Sequence, residues 1–268
     1  MQDLFSVKGK RVLVSGGGSG IGRMISEGYV KAGAKVYITS RDEKKLKQCA
    51  DELNKIGPGQ CVAIAANLAE YDAIVELVKQ LEQKEECFHV LVNNAGNNWG
   101  QEYSEFPDAA WDRVLGLNVK RVFTLTQKMT PLLLKSLGPN AKEEGPWEDP
   151  ARVIMIGSVD GVRVPSLETY SYSASKAALH QLSRVLAKKL GYQGITVNTL
   201  ACGPFQSKMM AATLEAAGDA IVSNVPLGRI GSLEDVAGAC IYLSSRAGQW
   251  VNGAIIPLDG GSLVGGKL

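Results

Sequence analysis

The sequence predicts an α/β fold, a doubly wound, seven-stranded parallel sheet with helices on both faces in three layers. Three features predict it. Seven short apolar, β-branched runs are bounded by turn residues, the pattern of buried strands. Longer amphipathic segments alternate with them, which implies crossover helices and parallel pairing. The first run empties directly into a glycine cluster, Ser15 to Gly22, reading SGGGSGIG.

Taken in order, strands are expected at Arg11–Val14, Lys35–Thr39, Cys61–Ala66, His89–Val92, Arg152–Ile156, Ile195–Leu200 and Ala254–Leu258. Between them, Ile21, Ile25 and Tyr29 recur at a spacing of four, as do Ile74 and Val78, and Leu77 and Leu81. That spacing puts each set on one face of a helix. These units use the whole chain, and no linker or shift in composition marks a boundary, so residues 1–268 are expected to form a single domain. Two segments break the rhythm. Gly138 to Pro150 is polar and rich in Gly and Pro, and reads as a surface loop. Pro204 to Pro226 follows the sixth strand and carries Phe205, Met209, Met210 and Leu214; it reads as a helical lid over a pocket.

Composition narrows the function. Lys and Arg number 29 against 27 Asp and Glu, a net charge of +2 without a long basic run, so a nucleic-acid partner is not expected. No apolar stretch approaches the roughly 18 residues of a membrane span, and Met1 to Lys10 has no signal-peptide core. The five cysteines, at 49, 61, 87, 202 and 240, form no CxxC pair, which suggests a reduced, cytoplasmic protein. The final Gly266-Lys267-Leu268 only faintly matches a peroxisomal ending. Neither His89 nor His180 has partners at metal-ligand spacing, so no metal is expected. The 30 glycines, about 11% of the chain against a usual 7% or so, ask for a backbone that must turn tightly or approach a ligand closely.

The glycine cluster supplies that reason. It joins a strand to an amphipathic helix, whose free N–H groups and positive dipole end suit a pyrophosphate. Ser15, Gly16, Gly18, Ser19, Gly20, Ile21 and Gly22 are therefore candidate cofactor contacts. Further along, Asn93-Asn94-Ala95-Gly96 follows the fourth strand, Asn118 stands in a Leu-Asn-Val, and Ser158 closes the fifth strand. Tyr172 and Lys176 form a YxxxK, Cys202-Gly203 with Ser207 follows the sixth strand, and Asp259-Gly260-Gly261 the seventh. In order and spacing this set resembles the classical short-chain dehydrogenases/reductases, with Ser15 for the family's Thr, and Cys202 for the Pro of its PGxxxT. Within the family, Ser175 to Arg184 and Gly203-Pro204-Phe205 are similar to NADPH-dependent β-ketoacyl reductases of the rhamnolipid-pathway type.

The resemblance implies a Rossmann-like domain and an oxidoreductase acting on a small-molecule ketone or alcohol. It also implies a homotetramer or a dimer. Tyr172 and Lys176 share a helix face; a nearby ammonium favours the phenolate and lowers a tyrosine's pKa, so Tyr172 is expected to move a proton to or from the substrate oxygen. Tyr170 competes, but no Lys follows it by four, and it lies roughly 200° around the helix from Tyr172. The Ser158 hydroxyl can steady charge on the substrate oxygen. The resemblance gives Lys176 the nicotinamide ribose as well, and gives Asn118 a water-mediated proton relay to Lys176. Asn94, Ala95, Gly96, Gly203, Phe205 and Ser207 join the cofactor contacts. Cys202 either faces the nicotinamide or packs.

Cofactor choice turns on the second strand's end, Ile38-Thr39-Ser40-Arg41, which has no acid to hold ribose hydroxyls. Ser40 and Arg41 suit a 2′-phosphate, so NADP(H) is expected; Asp42 is available to pair with Arg41. Asn67-Leu68 replaces the family's Asp-Leu, and the Asn carbonyl still suits an adenine amine. Three readings result: an NADPH-dependent reductase of 3-oxoacyl or polyketide-like ketones, an alcohol or polyol dehydrogenase, and an NADP(H)-binding regulator without turnover.

Overall fold

Successive residues of the central strand β1 (Arg11–Ser15) point to opposite faces, Val12 and Val14 into one core and Leu13 into the other. Burial on both faces is why such strands read as unbroken apolar runs. The computed structural model describes residues 2–138, 146–207 and 210–265, with the side chains at 2, 212–214, 216 and 217 also left undescribed. Residues 139–145 of the expected surface loop, residues 208–209 of the expected lid and the tripeptide 266–268 therefore lie outside the described residues.

The other strands are β2 (Lys35–Ser40), β3 (Gln60–Ala65), β4 (Val90–Asn93), β5 (Ala151–Ile156), β6 (Ile195–Cys202) and β7 (Ile255–Leu258). All pair in parallel, in the order β3-β2-β1-β4-β5-β6-β7, with Val12 facing both Val36 and Val90 in register. The helices are α1 (Gly20–Lys31), α2 (Glu43–Leu53), α3 (Tyr71–Lys84), α4 (Asp108–Leu115), α5 (Val122–Lys135), α6 (Tyr170–Gly191), α7 (Ala211–Ser223) and α8 (Leu233–Ser244). Helices α1, α2 and α8 bury Ile25, Tyr29, Leu46, Val236 and Cys240 on one face. Helices α3, α5 and α6 bury Ile74, Leu77, Leu125, Met129, Leu179 and Leu186 on the other.

The strand order reverses beside β1. The chain leaves β1 for β2 and β3, then returns to place β4 on β1's other side. At the strands' carboxyl ends this switch point opens a crevice, the usual ligand position in such sheets.

The amino-end rim of the sheet is instead closed by charge. Glu85 accepts from the Tyr37 hydroxyl (2.6 Å) and Arg11 Nε (2.9 Å), and pairs with Lys35. Asp149 binds Lys10 (2.7 Å) and the buried Arg152 (3.0 Å), which also donates to the carbonyls of Leu243 and Ser245. His89 Nδ1 accepts from the Arg11 amide at 3.0 Å, and burial pushes this imidazole down to about 4. Among the described residues no helix is long and apolar enough to cross a membrane, and no cluster of three or more His, Cys, Asp or Glu is placed to hold a metal.

Candidate active site

Ser15 ends β1 with 1% of its surface exposed. Its Oγ accepts from the amides of Asn94 (2.9 Å) and Ala95 (3.0 Å) and donates to the Val92 carbonyl (3.2 Å). Asn94 answers through Nδ2, which donates to the carbonyls of Ser15 (2.9 Å) and Gly16 (3.2 Å). The hydroxyl that the sequence placed among cofactor contacts thus belongs to the latch between the glycine turn and the Asn94–Gly96 loop. The same closeness explains Gly16: its φ is +67°, and a Cβ there would lie 2.8 Å from Asn94 Nδ2. Gly17 and Gly18 turn inward, against Ile38 and Leu46. Ser19 is the N-cap of α1 without a side-chain capping bond, so the first-turn amides beyond Gly20 are free for an anion.

At the end of β2 the Ser40 hydroxyl stands 3.9 Å from the place a Cβ would take on Gly18, which brings it to the edge of the turn. Asp42 does not pair with Arg41. It is the N-cap of α2, accepting from the Lys45 amide (3.0 Å) and pairing with Lys45 Nζ (3.2 Å). Arg41 is exposed and makes no ion pair among the described residues, whereas Arg23 is held by Glu52 at 2.8 Å. Asn67 is exposed after β3, its Oδ1 accepting from the Ala69 amide at 3.3 Å, while Leu68 is buried in the second core.

The candidate catalytic residues come from the end of β5 and from α6. Ser158 follows β5 and caps a short 3-10 turn, its Oγ accepting from the Asp160 amide at 3.2 Å. Tyr172 and Lys176 lie one turn apart on α6, with Lys176 Nζ 5.6 Å from the Tyr172 ring centre. Lys176 Nζ donates to the Ile156 carbonyl at 2.7 Å, which brings the ammonium to the end of β5. Tyr170 points elsewhere: its hydroxyl donates to Glu168 at 2.7 Å and its ring packs edge-on against Phe106 and Tyr103.

The electrostatics correct one expectation. Burial is the largest influence on Tyr172 and pushes its phenol up to about 12, although a hydrogen bond from Ser158 pulls the other way. Burial also pushes Lys176 down to about 8. Desolvation opposes both charged forms, and for both groups it is the largest influence. At neutral pH the pair is a phenol beside an ammonium.

Asn118 is 1% exposed and sits where the helix widens into a π-turn over Gly116–Arg121, between α4 and α5. Its Nδ2 donates to the Asn97 carbonyl (2.9 Å) and Ser175 Oγ (3.0 Å), and its Oδ1 accepts from the Asn97 amide (2.9 Å). Ser175 in turn donates to the Tyr172 carbonyl at 2.7 Å. The amide therefore ties the loop after β4 to the helix that carries Tyr172. Gly96 lies over it, a Cβ there being 3.1 Å from Asn118 Oδ1.

After β6, Gly203 lets the chain cross Asp259 closely, since a Cβ would lie 2.8 Å from the Asp259 backbone. Phe205 departs from its expected place. It is 2% exposed, belongs to the first core and covers Gly231, so its ring is not in the crevice. Cys202 is buried in the same core, which pushes its thiol up to about 12. Ser207 comes back over the turn, its Cβ 3.1 Å from the position of a Cβ on Gly20. Here Gln206, Ser207 and Ala211 face Arg23 and Glu27 across an open cavity of about 450 Å³. The chain just past α7 rests on the C-terminal turn, with Pro226 against Gly261 and Gly265, and Val225 against Gly260. Sequence reading missed this turn's organiser, Asp259, whose carboxylate accepts from Gly261 N, Ser262 Oγ and Leu263 N. Its only signal was the Asp-Gly-Gly itself.

A Rossmann-like sheet with a glycine turn at its switch point, and a Ser, a Tyr and a Lys gathered on the neighbouring strand and helix, defines a class of nucleotide-dependent oxidoreductases. The chain belongs to the short-chain dehydrogenase family, whose pattern it matches over residues 10–218. It is 40% identical to the rhamnolipids biosynthesis 3-oxoacyl-[acyl-carrier-protein] reductase of Pseudomonas aeruginosa, covering 97% of this chain and 99% of that one. It is 32% identical to the 5-keto-D-gluconate 5-reductase of Escherichia coli, covering 98% and 99%. Among solved structures, the Pseudomonas aeruginosa RhlG/NADP active-site complex superposes with a TM-score of 0.90 at 39% identity, over 98% of this chain and 100% of that one.

Proposed function

We propose that this protein is an NADP(H)-dependent reductase of 3-oxoacyl or polyketide-like ketones, and that Ser158, Tyr172, Lys176 and Asn118 serve the reaction. The grouping of Ser158, Tyr172 and Lys176 beside the switch-point crevice carries the reading. The residues fit the cofactor on three counts: a Cβ-free cradle at Gly16 and Gly20, uncapped amides at the start of α1, and an exposed Arg41 whose neighbouring acid is consumed as a helix cap. The Pseudomonas relative is a 3-oxoacyl reductase, and the superposing RhlG structure is an NADP complex; both support the same choice.

When bound, the dinucleotide supplies the hydride that reduces the carbonyl carbon. The chain does the rest. Tyr172, a phenol through the neutral range, gives its proton to the carbonyl oxygen. The Ser158 hydroxyl donates to the same oxygen as its charge grows. Lys176, fixed by the Ile156 carbonyl, offers its remaining donors to the nicotinamide ribose and to the phenol. Asn118 ties the loop after β4 to the helix that carries both, which gives it a positioning part beside the expected water-mediated relay to Lys176. The described parts of the expected lid, residues 204–207 and 210–226, are read as covering the substrate, and one domain carries all these parts. Phe123 on α5 and Val185 on α6 offer exposed apolar surface for the homotetramer or dimer.

The test is to mix the protein with NADPH and a panel of 3-oxoacyl thioesters, cyclic ketones and keto-sugar acids while following nicotinamide absorbance. Oxidation with the acyl ketones is expected. Preference for keto-sugar acids would favour a polyol-type enzyme, and tight NADPH binding without oxidation would favour a regulator. Tyr172→Phe should abolish turnover and keep NADPH binding; full activity would remove Tyr172 from the mechanism.

A further inference from the structure

His180 lies on α6 one turn beyond Lys176 and is 3% exposed. Neither imidazole nitrogen has a hydrogen-bond partner among the described residues. Burial pushes the ring down to about 4, so it is neutral under ordinary conditions. The ring edge faces the segment that carries Ser158. A Cβ on Gly157 would overlap Nε2 and lie 2.9 Å from Cδ2, and one on Gly161 would lie 2.8 Å from Cε1. Gly157 thus gives its side-chain space to the imidazole and to Thr199 Cγ2 (2.7 Å), and Gly161 lets the turn approach both the imidazole and the α6 backbone at Lys176 (2.7 Å) and Ala177 (2.8 Å).

Stability alone does not ask for histidine here. Two buried nitrogens without partners cost free energy that an apolar side chain would not. Shape does ask for it, because leucine is branched and thick where the ring is flat, and phenylalanine is longer. We propose that His180 is a positioning residue: a flat wedge between α6 and the Gly157–Gly161 turn that fixes the distance of Ser158 from Tyr172. It touches neither reacting group and acts through the turn.

The inference rests on the reductase reading, so wild-type oxidation of NADPH with a ketone is established first; its absence would count against that reading and leave the wedge to be judged by the other measurements. His180→Leu removes the unpaired nitrogens, which offsets the poorer fit of its branched side chain, so it is expected to fold with an unfolding midpoint close to that of wild type. Its kcat should nevertheless fall by between about tenfold and 100-fold, the scale of an ångström-level misplacement. NADPH affinity, read by nicotinamide fluorescence, should stay within about twofold, well inside the roughly tenfold step that 1.4 kcal/mol makes. His180→Ala should lose kcat likewise, with NADPH affinity again held within about twofold. A His180→Leu enzyme with wild-type kcat would overturn the proposal. So would a His180→Ala variant that loses stability alone.

Discussion

Replacing Ser15 by alanine is the sharpest test of how the crevice is held open. The hydroxyl receives two backbone amides, Asn94 N at 2.9 Å and Ala95 N at 3.0 Å, and donates to a third backbone group, Val92 O. Alanine fits the space but accepts nothing. A buried donor stripped of its partner costs about 1–3 kcal/mol. Both amides lie on partly buried residues that water can reach, so the lower end applies, giving about 2 kcal/mol for the two. For a chain of this size that is a drop of about 4–8 °C in Tm. Urea unfolding followed by circular dichroism should show a lower midpoint with an unchanged slope. NADPH should also bind more weakly, since the loop from Asn94 to Gly96 and the turn at Gly16 lose their common anchor. A Ser15→Ala protein with a Tm within about 1 °C of wild type, a fraction of a kcal/mol on this scale, would show that the latch contributes nothing and that Asn94 Nδ2 alone holds the two segments.

Two further outcomes are expected. Arg41→Ala should weaken NADPH binding about tenfold, one charge-assisted bond of about 1.5 kcal/mol, and leave NADH binding nearly unchanged; equal losses for both, measured by titration calorimetry, would remove Arg41 from the 2′-phosphate. The second concerns pH. Lys176 carries its charge below about 8 and loses it above, while Tyr172 stays a phenol up to about 12. Reduction should therefore decline as pH rises through about 8, and a kcat/KM profile flat to about pH 10, near the free lysine value, would refute the link. The same lowered pKa means that the unfolded chain binds the extra proton between about 8 and the free lysine value near 10.4. Lys176 thus detracts from stability below that window, and the penalty fades as pH climbs through it.

The strands were legible because a parallel sheet covered on both faces leaves its apolar runs unmasked. The observed β6 runs two residues past the expected end, to Cys202, since nothing local distinguishes a last paired residue from a first turn residue. Tyr172 was separable from Tyr170 by the Lys four residues on and by helical angle, and their side chains do point to different surroundings. What stayed hidden was non-local. The partner of the Ser15 hydroxyl is 79 residues away, and the space His180 fills is left by two glycines on another element. Asp42 looked free to meet Arg41 because the two are adjacent, but a capping bond needs a residue three further on, not the neighbour. The expected fall in the Tyr172 pKa failed for a related reason: a lysine four residues away is visible in the sequence, and the burial that dominates the shift is not.

The sheet divides its duties between its two rims. Glu85, Asp149 and Arg152 tie the strand beginnings together, while Ser158, Tyr172 and the glycine turn occupy the opposite ends. The charged rim thus holds much of the scaffold's durability away from the candidate chemistry, although Ser15 and Lys176 at the opposite rim bear on both. A lineage can harden or soften this scaffold by exchanging charges at the amino-end rim with little reach into the site, whereas changes at the opposite rim move stability and function together.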